Sequence, residues 1–200
     1  MNIVNLFPTA LGSYELDRKL TKKELKFISD LERTKNEGNT NSKDNYIFKN
    51  PELKGIADFC QGCLESYAQQ VYAPRESVGV YITQAWANWT KPGEFHHRHS
   101  HQNSFISGVF YVNADPEKDK IFFYRDRLPT TIELPTDNYN TWNSSSWWMP
   151  TGTCGIYLFP SYLTHMVQTV EAESERVSIA FNSFVDGYIG CETSLTGLRL

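Results

Sequence analysis

The sequence predicts a mainly β chain, a β-sandwich or jelly roll backed by helices. Two segments with helical periodicity, both ahead of Pro74, are followed by at least six short runs rich in β-branched and aromatic residues. Gly, Pro, Asp and Asn separate those runs, and no internal repeat of roughly 20–50 residues interrupts them. At 200 residues the chain suits one domain, and 40% hydrophobic residues, with 12 Phe and 11 Tyr, suffice for a sizeable core. The expected division is an N-terminal strand with bracing helices over 1–75, a jelly-roll core over 76–186 and a tail over 187–200.

The elements follow in order. Residues 4–16 read as an extended segment with a turn near Gly12. Thr21-Lys22-Lys23-Glu24 is a capping-box pattern, and Leu25, Ile28 and Leu31 continue it at helical spacing. This first helix is expected to end near Asn36-Glu37-Gly38, with a polar loop reaching Lys43. Asn50 as N-cap and Pro51 at the first position open a second helix. Its stripe of Leu53, Ile56, Ala57, Cys60, Leu64, Tyr67, Ala68 and Val71 should pack on a sheet. Strands are expected over 78–89, 105–112, 120–124, 155–159, 166–170 and 177–184. Residues 136–150 read as a long loop. Loops of that length in a compact domain are usually functional, so Trp142, Trp147 and Trp148 are expected as a lid or a wall of a substrate cleft.

Composition narrows the function classes. A net charge of −4 gives no footprint for nucleic acid. The N-terminus lacks the basic start and apolar centre of a signal peptide, and no apolar run reaches membrane-spanning length, so a cytoplasmic protein without membrane contact is expected. Cys60-Gln61-Gly62-Cys63 has CxxC spacing, but no second pair follows and the segment reads as helix, so buried thiols are expected. The aromatic and Gly-containing tail, 188–200, is expected to pack across a homodimer.

Four of the five histidines, His96, His97, His99 and His101, fall within six residues, and the fifth is His165. Alternate residues of a strand share a face, so His97, His99 and His101 would stand together, opposite His96. Two ligands at i and i+2 plus one from a distant strand can cap one face of an octahedral metal, leaving open positions for substrate and oxygen. Arg176-Val177-Ser178 offers a guanidinium and a hydroxyl on one strand face, a pair suited to a carboxylate at the back of a pocket.

Three motifs resemble a known family. They are His99-Ser100-His101-Gln102-Asn103-Ser104 with Ser107-Gly108-Val109-Phe110-Tyr111-Val112, then 159–165, then Arg176-Val177-Ser178-Ile179-Ala180-Phe181-Asn182. Over roughly 78–184 the chain resembles the 2-oxoglutarate/iron(II) oxygenases found in marine bacteria and cyanophages, relatives of the prolyl 4-hydroxylase superfamily. The resemblance implies a double-stranded β-helix, or jelly roll, with iron(II), 2-oxoglutarate and O2 as cofactor, cosubstrate and oxidant. It implies His99 and His165 as iron ligands, and Arg176 with Ser178 as partners of the distal cosubstrate carboxylate. Tyr111 is the candidate for a further hydrogen bond, and Asn88 a second one. For a phage-encoded chain the compartment would be the host cytoplasm.

One departure matters. The wider superfamily has His-x-Asp where this chain has His-x-His. If His101 takes the place of the carboxylate, the site has three neutral ligands and one more positive charge. Two other completions stay open, the pair His97 and His99, and a carboxylate such as Glu94 or Asp126. The pair His99 and His101 is preferred because its distance to the strand at Ser107 matches the family pattern. The reaction expected is hydroxylation of a small-molecule or peptide substrate, peptidyl and in particular prolyl favoured, with release of succinate and CO2. The competing expectation is a jelly-roll module that binds zinc or nickel without oxygenase chemistry.

Overall fold

The computed structural model describes residues 1–125 and 132–200. Asp126, one candidate carboxylate, lies outside the described residues. In chain order the elements are β1 (Gly12–Glu15), α1 (Lys22–Asp30), β2 (Arg33–Lys35), β3 (Thr40–Ser42), α2 (Lys54–Tyr72), β4 (Val78–Thr90), β5 (His96–His99), β6 (Ile106–Asn113), β7 (Lys120–Tyr124), β8 (Ser146–Pro150), β9 (Gly155–Pro160), β10 (His165–Val167), β11 (Arg176–Ile189) and β12 (Leu198–Arg199). They build two antiparallel sheets. The larger runs β1-β9-β6-β11-β4-β3-β2, with β12 added to the end of β11, and the smaller runs β5-β10-β7-β8. This is the jelly-roll architecture the strand pattern predicts.

Strand alternation sorts the larger sheet into two chemistries. One face of β4, β6, β9 and β11 carries Ala85, Ala87, Trp89, Ile106, Phe110, Val112, Ile156, Leu158, Ile179 and Phe181. These pack with Ile56, Cys60, Cys63, Leu64, Tyr67 and Ala68 of α2 into the main core. The other face presents Val109, Tyr111, Tyr157 and Phe159 to Ile121 and Phe123 of the smaller sheet. The polar residues of β4 and β11 that the sequence singles out, Asn88, Arg176 and Ser178, occupy that inner face as well. The helices therefore brace the sheet from outside and leave its inside free for chemistry.

Gly108 belongs to the helix-facing side, where the Phe181 ring fills the space a Cβ would need. Neither backbone nor ring has room to retreat in so dense a core. Gly108→Val is expected to destabilise by about 1–3 kcal/mol through overpacking, read as a lowered Tm with Gly108→Ala intermediate.

The start of α1 follows the capping box. The Thr21 hydroxyl accepts from the Glu24 amide at 3.2 Å, and the Glu24 carboxylate accepts from the Thr21 amide at 2.7 Å. Its end differs from expectation. The helix stops at Asp30, and β2 and β3 form a hairpin where a helix end and a polar loop are expected. Gly38, at φ +88°, is the turn residue of that hairpin rather than a helix terminator. All three residues of β2 are exposed, so no apolar alternation marks it in the sequence. At the second helix Pro51 opens a short 3-10 turn, and the Asn50 side chain donates back to the Ile47 carbonyl instead of capping. The final part of the expected loop 136–150 is a strand, β8, paired with β7. The tail folds back within the chain, β12 pairing with Tyr188 and Ile189 of β11.

Cys60 and Cys63 are buried on α2, and burial raises both thiols, Cys63 to about 11. Cys191 is exposed, and hydrogen bonds from the Thr193 side chain, then from backbone amides of Ser194 and Thr193, lower its thiol to about 7. Thiolate is the reactive form. Iodoacetamide at pH 7.5 is therefore expected to label Cys191 first and Cys60 last in the native protein, as read by peptide mass spectrometry. No helix among the described residues is long and apolar enough to cross a membrane.

Candidate active site

β10 sits between β5 and β7, and His165 pairs with His99 on one side and Phe123 on the other. His101 follows β5, its amide donating to the Ser161 carbonyl at 3.0 Å. Two strand ends thus converge, the end of β5 with His99 and His101 and the start of β10 with His165, and the ring nitrogens of the three all lie within 4.8 Å of one another. Backbone carbonyls orient two of the rings. His99 Nδ1 donates to the His97 carbonyl at 2.8 Å, and His165 Nδ1 donates to the Leu163 carbonyl at 3.0 Å. A carbonyl only accepts, so each Nδ1 carries the proton and each Nε2 keeps its lone pair.

His101 Nε2 stands 3.3 Å from His165 Nε2. Two lone pairs facing each other at that distance repel unless a proton or a cation lies between them. The separation also suits two nitrogens on one metal ion at ~2.1 Å each. Burial lowers the ring pKa of His165 well below its ordinary value, with His99 and His101 adding to the effect. For His101, burial and then His99 lower it to about 4 against an opposing contact from the Asn182 side chain. His99 is lowered chiefly by burial. All three rings are neutral at pH 7, the form a metal needs. Trp86 of β4 stacks on His101, ring centroids 5.7 Å apart, and holds its plane.

Strand alternation alone does not describe the cluster. Between His165↔His99 and Val167↔His96 the register shifts, so one residue on β10, Met166, faces two on β5, His97 and Arg98. This bulge turns His96 to the cavity beside His99, their rings stacked at 4.7 Å, while His97 is absent from the cavity lining. The expectation that His96 stands apart from the other histidines is thereby corrected. His96, His97 and His99 also bring ring nitrogens within 4.8 Å of one another. The cavity that holds Arg176 and Ser178 is lined by His99, His101 and His165, however, and not by His97. Glu94 is engaged elsewhere, its carboxylate accepting from the Lys91 amide at 2.9 Å.

The residues expected to hold an anion, Arg176 and Ser178, line the same cavity. Ser178 on β11 pairs in register with Asn88 on β4 and Tyr111 on β6, so the three form one row across the sheet, and Arg176 is next along β11 on the same face. Arg176 is 2% exposed and has no ion-pair partner among the described residues. Its Nε, the Tyr111 hydroxyl and the Asn88 carbonyl oxygen are buried without hydrogen-bond partners. The Arg176 guanidinium lies 5.0 Å from the centroid of the Tyr111 ring. Burial raises the Tyr111 phenol well above its ordinary value, against the pull of Arg176, so it stays a neutral donor. A buried cation and orphaned polar groups are costly unless something anionic and hydrogen-bonding completes them. A carboxylate reaching past the histidines would complete them, and the unpartnered donors are of the kind such a group needs.

The Trp residues separate. Trp147 and Met149 of β8 line a groove together with Trp142, whose loop is held by Arg125 donating to the carbonyls of Thr141 and Trp142. Trp148 alternates to the other face of β8 and lies under the Lys120 ammonium, 4.3 Å from its ring centroid. It does not line the groove, and the expectation that it walls a cleft is corrected. His96, Trp86 and Asn182 are the site residues that sequence reasoning missed. Trp86 and Asn182 share the alternation of Asn88 and Ser178, a signal that could have found them.

The sequence model of a family described as "Putative 2OG-Fe(II) oxygenase" matches residues 84–182, from β4 to the middle of β11. No curated protein sequence matches the chain. Among solved structures, the fold is shared with an oxidoreductase of the 2OG-Fe(II) oxygenase family from Burkholderia pseudomallei, at TM-score 0.58, 11% identity and coverage of 86% of this chain and 84% of that one. HygX from Streptomyces hygroscopicus, solved with nickel, 2-oxoglutarate and hygromycin B, has TM-score 0.54 and 10% identity, with 88% and 82% covered. A Pseudomonas putida prolyl-4-hydroxylase has TM-score 0.54 and 12% identity, with 87% and 92% covered. The matched segment carries every one of the three histidines and Arg176 with Ser178, and the chain belongs to the 2OG-Fe(II) oxygenases, a dioxygenase that uses iron(II), 2-oxoglutarate and O2.

Proposed function

We propose that this chain hydroxylates a peptidyl substrate, with His99, His101 and His165 holding the iron and Arg176 and Ser178 holding the distal carboxylate of 2-oxoglutarate. The observation that carries the reading is the buried Arg176, without an ion pair among the described residues, on the wall of the cavity that the histidines line. The Tyr111 hydroxyl, buried without a partner beside Arg176, would donate to the same carboxylate, with the Asn88 side chain next to Ser178 in the same row. Iron(II), with 2-oxoglutarate and O2, supplies the oxidant that inserts one oxygen atom into a C–H bond, the other leaving in succinate as CO2 is released.

The protein's own part is placement. His97 and Leu163 carbonyls keep Nε2 of His99 and His165 turned inward. Arg176 fixes one end of the cosubstrate so that its other end meets the metal in a single pose. Trp86 and the rings of Phe123 and Phe159, packed around His101 and His165, keep water from the metal's inner side. A shared fold does not choose the substrate, since the same fold carries a prolyl-4-hydroxylase and a protein solved with hygromycin B. The groove beside Leu163, about 800 Å3, has room for several residues of a peptide.

Two measurements test the reading. Anaerobic protein with iron(II) and 2-oxoglutarate is expected to develop a weak visible charge-transfer band that neither component produces alone. Under air, succinate should form in proportion to 2-oxoglutarate consumed and rise when an acceptor peptide is present. A chain that binds iron but forms neither the band nor succinate defeats the assignment.

A further inference from the structure

The groove walled by Trp142 and Trp147 has a chemical character that neither the metal centre nor the family accounts for. It runs along the seam where the sandwich is open. The segment leading into β1, the edge of the larger sheet, forms one wall, and β8, the edge of the smaller sheet, forms the other. It reaches the histidine cluster at the Nδ1 side of His165. Leu163 lines the groove and orients His165 through its carbonyl at 3.0 Å, and Phe123 lines it while packing near the His165 ring.

Three features define what it can hold. First, Arg125 is the one charged side chain among the described lining residues, and its guanidinium is committed to the carbonyls of Thr141 and Trp142, at 2.7 and 3.2 Å. A cationic ligand entering would lose water and find no carboxylate among the described lining residues, and an anionic one would have to draw the guanidinium away from those two carbonyls. Second, residues 3–9 form a strap with no backbone hydrogen bond to other described residues, fastened by Trp142 Nε1 donating to Asn5 Oδ1 at 2.7 Å. Ile3, Val4, Leu6 and Phe7 of this strap are 62–97% exposed, an apolar surface on an otherwise ordered chain. Third, β8 pairs on one side only, so the wall it forms has unmatched amide and carbonyl groups. A small metabolite uses few of those groups. An extended peptide uses many, its main chain pairing with that strand edge while its side chains enter the apolar space.

We propose that this groove is the substrate cleft and that it takes an extended, uncharged peptide segment with apolar or aromatic side chains, clasped between the strap of residues 3–9 and Trp142 with Trp147. The proposal rests on the peptidyl reading above and adds the class of peptide and the residues that select it. Trp142 has two roles here, packing against the peptide and latching the strap through Asn5.

The test uses the full chain without iron or 2-oxoglutarate, so that it does not depend on turnover. Three doubly capped octapeptides serve as probes: one of Ala, Leu, Phe, Pro and Gly, one with two positions changed to Asp, and one with two changed to Lys. Binding is followed by tryptophan fluorescence and calorimetry. The neutral peptide is expected to bind at least about tenfold more tightly than either charged one, since tenfold corresponds to only ~1.4 kcal/mol. Trp142→Ala, Trp147→Ala and removal of residues 1–8 should each weaken it at least about tenfold by the same measure. Asn5→Ala, which cuts only the latch, should raise the dissociation rate and leave the preference for neutral peptide intact. Thermal stabilisation by 2-oxoglutarate, measured on each variant, reports whether it has folded. Equal affinity for all three peptides, or unchanged affinity in the two Trp variants, overturns the proposal. So does binding of 2-oxoglutarate by a protein that takes no neutral peptide. Peptide binding by a protein that fails to bind 2-oxoglutarate would instead overturn the oxygenase assignment of the cavity and leave the groove standing.

Discussion

Arg176→Ala is expected to weaken 2-oxoglutarate binding by about 10²-fold to several 10³-fold, since removing one partner of a buried charge pair costs about 3–5 kcal/mol. The size follows from burial. Arg176 is 2% exposed, and no described carboxylate neutralises it, so the cosubstrate carboxylate would find no water and no alternative cation once the guanidinium is gone. The variant also separates binding from folding. In the free protein the guanidinium is an unpaired buried charge, so Arg176→Met, of comparable length and apolar, should leave Tm unchanged or raise it. The Tm gain that wild-type protein shows on adding 2-oxoglutarate should vanish at the same time. Calorimetric titration and thermal melts on one set of samples give both results. Undiminished 2-oxoglutarate affinity in Arg176→Ala, or a collapse of Tm in the Met variant, would show that Arg176 serves the fold rather than the cosubstrate. Tyr111→Phe should act in the same direction and less strongly, by about 1–3 kcal/mol, because it removes one neutral donor.

His165→Ala should lower iron affinity by more than the roughly 10–100-fold that loss of an outer-shell partner produces, and with it succinate formation. His165 holds the centre of the cluster, facing His99 across the β10–β5 ladder and His101 across 3.3 Å. The informative comparison is at His101. His101→Asp puts a carboxylate where relatives of this chain have one, lowers the charge of the complex by one unit, and should keep or raise iron affinity. His101→Ala should lower it, and His97→Ala should not. If His97→Ala loses the metal while His101→Ala retains it, the ligand set is the other triple, His96, His97 and His99. The pH dependence has a definite sign. The pKa of His101 is depressed to about 4 by burial, and that of His165 lies well below its ordinary value, so both rings are neutral through the physiological range. A group with a depressed pKa releases its proton above that pKa, so metal affinity should be flat from pH 8 to 6 and fall only in acid.

Much of the site was legible in the residues themselves. The i, i+2 histidines, the distant His165 and Arg176-x-Ser178 are local patterns whose meaning does not change with the rest of the chain. The capping box at Thr21 and the Pro51 start are equally local. The hairpin of β2 and β3 was not legible, because neither strand buries an apolar face that would mark its period. Trp148 was misplaced because a loop reading ignores alternation. Once β8 is a strand, Trp147 and Trp148 must point to opposite sides.

What the sequence by itself determined is the class of the fold, the positions of the strands β4, β6, β7, β9 and β11 and the types of residue that could bind a metal and an anion, because β propensity and side-chain chemistry act over a few residues. Only the tertiary structure decided which of those residues meet. The bulge opposite β10 brings His96 to the cavity and leaves His97 off its lining. The row of Asn88, Ser178 and Tyr111 exists only through the pairing of β4, β11 and β6. The groove exists only because the segment ahead of β1 and the edge strand β8, some 130 residues apart in sequence, border one space. Register and edge placement are set by pairing between strands distant along the chain, where a shift of one residue reverses every side chain, and no local pattern records it.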